Sequence, residues 1–351
     1  MLMTKVGVGV IGVGGWGKNH VRAYSQLHRY CSLQAICDLD PERAKTYGKT
    51  YQVDWYTDVK DLLARDDING VSICTPSTTH YETALEALKS GKDLLVEKPI
   101  TLKPSEGATI CSEAARRGLK LTVGFLERFN PCVQRLRALI KKDDLGEIHY
   151  MSAGRISPSI PRVEGVGVLL DLAIHDIDII RYLLGEDPVE VYAEEGLSSH
   201  KYRSPHEAID VEVVLSFPSG IDAHIVARRL KPTSKHIRKI QQLHMVGTGG
   251  FAVISYIPQI LWRFKATEIR QPFLDNRGNP RFLGDPSVVC TYKPKWEEPL
   301  KRELRSFIQA ISRNRHPEPS GEDGLRALEI ADAAMESIRS GGPKRVKYIP
   351  L

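Results

Sequence analysis

The sequence predicts an α/β protein in two parts: an N-terminal doubly wound parallel sheet, then a C-terminal α+β domain with a large open, mostly antiparallel sheet. Three observations predict it. From residue 5 to about 124, short apolar runs alternate with amphipathic helical segments, as βαβ units require. After about residue 125 the alternation gives way to long strands in succession, the pattern of antiparallel pairing. Finally, 351 residues are enough for two domains that each bury a core. The expected division is 1–124 and 125–351.

In order, "KVGVGVIGV" reads as a strand, "WGKNHVRAYSQLH" as a helix and "LQAICDLD" as a second strand. The helix "PERAKTYGKTY" follows, its proline suited to a first turn. "GVSICTP", "HYETALEALKSG", "DLLVEKP", "PSEGATICSEAARRG" and "LKLTVGF" continue the alternation. Beyond it come a helix at "PCVQRLRALIKKD", a strand at "GEIHYMSAGR", a helix through "DLAIHDIDII", and the strands "VEVYAEEGLS", "AIDVEVVLSFPSG", "IDAHIVARRL" and "KIQQLHMVGTGG". Residues 270–296, rich in proline and polar side chains, read as an exposed excursion. Two closing helices, about 298–313 and 321–340, are open to packing on either domain.

Composition narrows the function. The formal charge of +6 is modest and spread along the chain, with no stripe of basic and aromatic residues, so nucleic acid is a poor partner and a small anionic substrate a better one. Six cysteines without a CxxC pair lie mostly in apolar runs and read as reduced core thiols. The N-terminal apolar run is too short to span a membrane and passes directly into a glycine motif, which leads us to expect a cytoplasmic protein.

That motif is "GVGGWG", comprising Gly12, Val13, Gly14, Gly15, Trp16 and Gly17. It fits G-x-G-x-x-G after a strand and before a helix, the context in which glycines allow a tight turn and a helix N-terminus faces a pyrophosphate. Asp38 ends the next strand, where a carboxylate accepts from an adenosine ribose and repels a 2′-phosphate. The expected cofactor is therefore NAD, with Arg43 one helical turn on as the residue that argues for NADP. "CTPSTTH" and "VEKPI" also follow strands whose carboxyl ends should line the same cleft of a Rossmann sheet.

The helix at "DLAIHDIDII" places Asp171, His175 and Asp178 at i, i+4 and i+7, one face of an α-helix. Asp171 and His175 could instead be two metal ligands, with His20, His80 or His149 as a third, but no second clustered ligand pair supports this. No metal is expected. Asp178 is open between a pocket role and an internal hydrogen bond.

Together, "GVIGVGGWG", "TPSTTH", "EKP" and "GVLLDLAIHDID" resemble, in order and spacing, the glucose-fructose oxidoreductase, inositol dehydrogenase and MocA family, over about residues 5–340. The resemblance implies an NAD(P)-dependent dehydrogenase with a Rossmann domain and a C-terminal open-sheet domain. It also implies a homo-oligomer, since that sheet often serves oligomer contacts in relatives. It carries the catalytic roles to Lys98, Asp171 and His175, and cofactor contacts to Gly12, Gly14, Gly17 and Asp38. Thr75, Pro76, His80 and Glu97 match further cofactor positions. One departure is that Gly165 and Gly167 are separated, where the family often has two adjacent glycines.

Within the family, "VGFLERFNP" with "DLAIHDIDIIRYLLG" is similar to the branch acting on nucleotide-linked amino sugars. The implied reaction is oxidation of the 3-hydroxyl of UDP-N-acetylglucosamine to the 3-keto sugar ahead of transamination. Alcohol oxidation needs a proton acceptor, for which neutral histidine is suited. This gives His175 as base, Asp171 as its orienter and Lys98 as donor to the reacting oxygen, with Lys98 as acceptor the reverse assignment. Arg128 and Asn130 are candidates for nicotinamide or sugar contact, a structural salt bridge being the equal alternative for Arg128. Arg155 and Arg162, read as lying in the loop before the catalytic helix, suit a diphosphate. The alternatives are a free-sugar or inositol dehydrogenase, and a non-catalytic NAD-sensing regulator.

Overall fold

The computed structural model describes residues 5–158, 166–196, 209–230, 239–265, 273–274, 280–281, 290–296 and 298–351. They form two compact units. One comprises residues up to Phe129 with Glu298–Ala333 and Lys347–Leu351; the other comprises Asn130–Glu297 with Ala334–Val346. Residues 298–333, covering one closing helix and much of the other, thus join the N-terminal unit.

In that unit the strands β1 (Val6–Ile11), β2 (Cys31–Cys37), β3 (Asp54–Tyr56), β4 (Gly70–Ile73), β5 (Asp93–Val96) and β6 (Leu121–Val123) form one sheet in the order β3-β2-β1-β4-β5-β6. Every pairing is parallel. β1, β4 and the apolar part of β5 are buried throughout, as a sheet covered on both faces requires. The helices start and stop where local chemistry dictates. Asp40 caps α2 (Pro41–Tyr51) by accepting from the Glu42 and Arg43 amides, and Pro41 occupies its first turn. The core joins Val6, Val8, Val10, Tyr24, Ile36 and Leu95 to Leu300, Leu304, Phe307 and Ile308 of the helix Pro299–Ser312. That stripe, with its i, i+4, i+7, i+8 spacing, belongs to this core.

The second unit is built on a nine-stranded sheet of order β16-β13-β12-β11-β7-β10-β9-β8-β17, whose outer strands are β16 (Cys290–Tyr292), β13 (Ile260–Lys265), β12 (Gly250–Ser255), β8 (Glu190–Glu195) and β17 (Lys344–Arg345). Its central members are β7 (Ile148–Pro158), β10 (Asp222–Leu230), β9 (Asp210–Ser216) and β11 (Ile240–Gly247). Only β7 and β10 pair in parallel; the other pairs run antiparallel. Alternation is clean on one face, where Met151, Ala153, Ala223, Ile225, Ala227, Leu243 and Met245 are buried. Facing them is a helix that opens with a π turn, Leu169–Ala173, continues as α7 (Ile174–Leu184), and ends at Gly185 in a left-handed conformation (φ 77°). The excursion expected at 270–296 lies mostly outside the described residues.

Cys31, Cys37, Cys74, Cys111 and Cys132 are free thiols. Burial pushes the thiols of Cys31, Cys37 and Cys111 up to about 12 and that of Cys132 to about 11, so none is a ready nucleophile. No described helix is long and apolar enough to cross a membrane.

Candidate active site

In the N-terminal unit the glycine loop connects β1 to α1 (Gly17–Gln26). Gly12 has φ +83°, and a Cβ there would lie 2.8 Å from the Thr75 amide, so only glycine fits. A Cβ on Gly17 would collide with the Gly12 carbonyl, which fixes the close seat of α1 against the loop. Gly15, by contrast, has nothing within 4 Å, and Gly14 only the Arg43 guanidinium at 3.7 Å, so this stretch of backbone is open to approach. The first turn of α1 carries no acidic residue, and Trp16 offers no side-chain cap. Its amides are therefore not capped by a side chain of their own, and an anion suits them.

Asp38 holds the loop from the side. Its Oδ2 accepts from the Val13 amide at 2.8 Å, and its Oδ1 from the Asp40 amide at 3.0 Å and Arg43 Nη1 at 3.1 Å. Arg43 also pairs with Asp40 at 3.1 Å. The guanidinium that could have favoured a 2′-phosphate is thus engaged by two carboxylates. An open glycine cradle, a helix start without a cap and a carboxylate beside the loop fit NAD.

Thr75 and Pro76 follow β4, and Glu97 and Lys98 follow β5, so the structure brings all four to the carboxyl ends of adjacent parallel strands. Two of the residues expected to contact cofactor serve the unit itself. His80, 1 % exposed, directs Nδ1 at the Pro99 carbonyl (2.8 Å) and Nε2 at the Thr75 carbonyl (3.0 Å), tying the two strand-end loops together. Burial holds its pKa below the ordinary histidine value, although both carbonyls favour the protonated ring. Glu97 is also buried. Its Oε1 accepts from Trp16 Nε1 at 2.8 Å and from His20 Nε2 at 2.9 Å. Burial alone would raise its pKa, but the His20 hydrogen bond and charge, the Lys98 charge and the Trp16 hydrogen bond together hold the carboxyl below its usual range. Gly124 makes room for this carboxylate, since a Cβ there would sit 2.8 Å from it. Within the unit, His80 and Glu97 therefore support the loops that were expected to meet the cofactor. His20 was absent from the cofactor set; a histidine on the buried face of the helix after the glycine motif was the available signal.

Arg128 and Asn130 also resolve structurally. Arg128, 5 % exposed, donates to Asp323 at 2.9 Å, which is the salt-bridge alternative. Asn130 caps the helix Pro131–Ile140 by accepting from the Cys132 amide at 3.1 Å.

In the second unit, Asp171 lies inside the π turn and His175 at the start of α7, both half-buried. The sequence pattern predicts a plain α-helix through Asp171, His175 and Asp178; the structure instead has Asp171 in a π turn, which alters the angular step there, and His175 and Asp178 in the α-helix that follows. Asp171 Oδ2 accepts from Arg229 Nη2 at 2.6 Å. Asp178 is buried. A second helix carboxylate paired with an arginine is one the sequence did not single out. Asp176, fully buried, accepts from Arg155 Nε at 2.9 Å, and the Arg155 guanidinium lies 5.0 Å from the Tyr256 ring. Arg155 is thus not a loop residue, a correction to its expected place before the helix: it sits in β7, is 2 % exposed and is paired. Arg162 and Gly165 lie outside the described residues. Among the described residues no group of three or more His, Cys, Asp or Glu is arranged to hold a metal.

A 3-2-1-4-5-6 parallel sheet with this cradle, followed by an open nine-stranded sheet, defines a two-domain NAD-binding oxidoreductase. The chain belongs to the Gfo/Idh/MocA family: residues 6–125 match the oxidoreductase family's NAD-binding Rossmann fold and residues 137–347 its C-terminal alpha/beta domain. It is 30% identical over 335 residues to inositol 2-dehydrogenase of Rhizobium meliloti (strain 1021), covering 94% of this chain and 96% of that enzyme. It is 35% identical over 191 residues to UDP-N-acetylglucosamine 3-dehydrogenase of Acidithiobacillus ferrooxidans, covering 54% of this chain and 58% of that enzyme. The solved structure of the same Acidithiobacillus enzyme shares the fold, with a TM-score of 0.78 at 24% identity over 96% of this chain and 99% of that one.

Proposed function

We propose that this protein is an NAD-dependent dehydrogenase that oxidises a secondary hydroxyl of a sugar ring. The observation that carries the cofactor half is the open glycine loop, whose helix start has no side-chain cap, with Asp38 bonded to Val13 and Arg43. When bound, NAD supplies the two-electron acceptor for the carbinol C–H bond. The Gly12–Gly17 backbone and the α1 amides hold its pyrophosphate, and Asp38 its adenosine ribose. His175 takes the hydroxyl proton on a ring nitrogen, Asp171 orients that ring, and Lys98 donates to the reacting oxygen as negative charge builds there. Replacing Lys98 with Met and His175 with Asn should each lower kcat by about 100-fold or more while leaving NAD affinity within a few-fold. Full turnover in both variants would refute the catalytic assignment and leave a cofactor-binding regulator as the reading.

For the substrate we infer the 3-hydroxyl of UDP-N-acetylglucosamine, supported by the 35% identity to the Acidithiobacillus enzyme. One observation favours the second reading, a free sugar or cyclitol: Arg155, expected to meet a diphosphate, is buried and paired with Asp176. Initial rates on UDP-N-acetylglucosamine, glucose and myo-inositol decide between them, and turnover of the uncharged compounds alone overturns the first. A homo-oligomer belongs to the same proposal, supported by Tyr150, Tyr192, Val246 and Phe251 exposed on the nine-stranded sheet, and is tested by light scattering.

A further inference from the structure

The helix that carries Asp171 faces two strands that each extend a guanidinium toward it. β7 and β10 run parallel in register, with Arg155 opposite Ala227 and Ser157 opposite Arg229. Along β10, Ala223, Ile225 and Ala227 are buried, and Arg229 continues their face; along β7, Met151 and Ala153 lead to Arg155 in the same way. The adjacent Arg228 points to the opposite face, where it pairs with Asp210 at 2.8 Å and Glu212 at 3.5 Å. Arg155 takes Asp176 and Arg229 takes Asp171.

Asp171 and Asp176 are five residues apart. On an uninterrupted α-helix, at about 100° per residue, they would diverge by about 140° and could not both reach one sheet face squarely. A π turn closes i→i+5, returning position i+5 close to position i. The observed π turn spans Leu169–Ala173 and so includes Asp171. Asp176 lies in the α-helix just beyond it, so the widening covers part of the step between the two carboxylates and reduces their divergence, bringing them nearer the side on which the two neighbouring strands hold their guanidinium groups.

Resting on the reading of Asp171 and His175 given above, we propose that Arg229 is a positioning residue for the reaction. It holds Asp171 as an anion on the sheet side of the π turn, while the Arg155–Asp176 pair anchors the following turn. Asp171 is thereby kept from acting as a proton acceptor and is fixed as the group that steers His175. Among the described residues, the charged groups on this helix and on the elements packed against it within its unit include Arg155 on β7, Arg229 on β10 and Arg137 on the helix Pro131–Ile140, with Asp176, Asp178 and Arg181 on the helix itself.

The test is a double-mutant cycle of Arg229→Met with Asp171→Asn, with Arg229→Lys as the conservative control, all in the full chain. Arg229→Met should lower kcat by about 10- to 100-fold with KM for NAD unchanged within about twofold. It should also move the acidic limb of the kcat/KM profile upward by about one pH unit. Without the guanidinium the Asp171 carboxyl is harder to ionise, and its uncompensated charge makes His175 easier to protonate, so both effects shift the limb the same way. Arg229→Lys should keep the limb in place and recover part of the rate, and the double variant should be no slower than Asp171→Asn alone. Losses that add in the double variant, or a limb unmoved in Arg229→Met, overturn the proposal. Should Arg229→Met fail to fold, Arg229→Gln is read by the same criteria. Full activity in Asp171→Asn would instead refute the underlying site reading; a slow Asp171→Asn beside an unimpaired Arg229→Met refutes the positioning role alone.

Discussion

Replacing Glu97 with Gln keeps size and shape but removes the charge on which Trp16 and His20 converge. Both hydrogen bonds end on one oxygen, Oε1, so a glutamine carbonyl can still accept them. What is lost is the difference between charge-assisted bonds, about 1.5–3 kcal/mol each, and neutral ones, about 0.5–1.5 kcal/mol. Two such differences, reduced by the easier burial of an uncharged amide, leave about 2 kcal/mol. Because Trp16 lies in the glycine loop and His20 on α1, part of this loss should appear in cofactor binding. NAD affinity should fall by up to about 30-fold at pH 7, and Tm by about 4–8 °C. The pH dependence has a definite sign. Glu97 is held below the usual carboxylate range, so its contribution is present above that range and is lost as pH falls through the folded value. The Tm gap between wild type and variant should therefore close in acid. Calorimetry across pH with NAD titration checks this. A variant that melts within 1 °C of wild type and binds NAD equally at pH 7, a difference of well under ~1 kcal/mol, refutes the argument.

Two further outcomes follow from the same geometry. Asp38→Ser removes the carboxylate that engages Arg43 and should shift the NADP-to-NAD affinity ratio by about 10- to 100-fold toward NADP, as read by paired titrations. Arg155→Met leaves Asp176 buried without the Arg155 guanidinium and should destabilise by about 3–5 kcal/mol, seen in denaturant melts, with Asp176→Leu in the same chain recovering much of the loss.

What was legible in the sequence is what a backbone requirement fixes at short range. Gly12 and Gly17 cannot be replaced without collision, so their spacing announces the loop; Asp38 follows because the next parallel strand must end beside it. The open sheet was legible from alternation. The π turn was not, because "LLDLAIHDID" has an ordinary helical pattern and the arginines its carboxylates meet lie 58 residues away in β10 and 21 residues away in β7. Arg155 was misplaced for a related reason: β7 runs on to Pro158, and an arginine at the end of a buried face looks like loop chemistry until its carboxylate is found. Arg229 carried a faint signal, since it continues the alternation Ala223, Ile225, Ala227, and a charge in that register calls for a buried counter-ion. The helix Pro299–Ser312 was legible as amphipathic, but a stripe does not name the surface that covers it.

That helix has a consequence for how the polypeptide is made. Leu300, Leu304, Phe307 and Ile308 sit in the same core as Val8, Val10 and Tyr24, and Arg128 meets Asp323, so the nucleotide-binding unit is assembled from both ends of the chain. During synthesis its first 129 residues leave the ribosome long before the side chains that close over them. The intervening unit thus has the opportunity to fold as an insertion within a partner whose core is still open on the side those helix residues will cover.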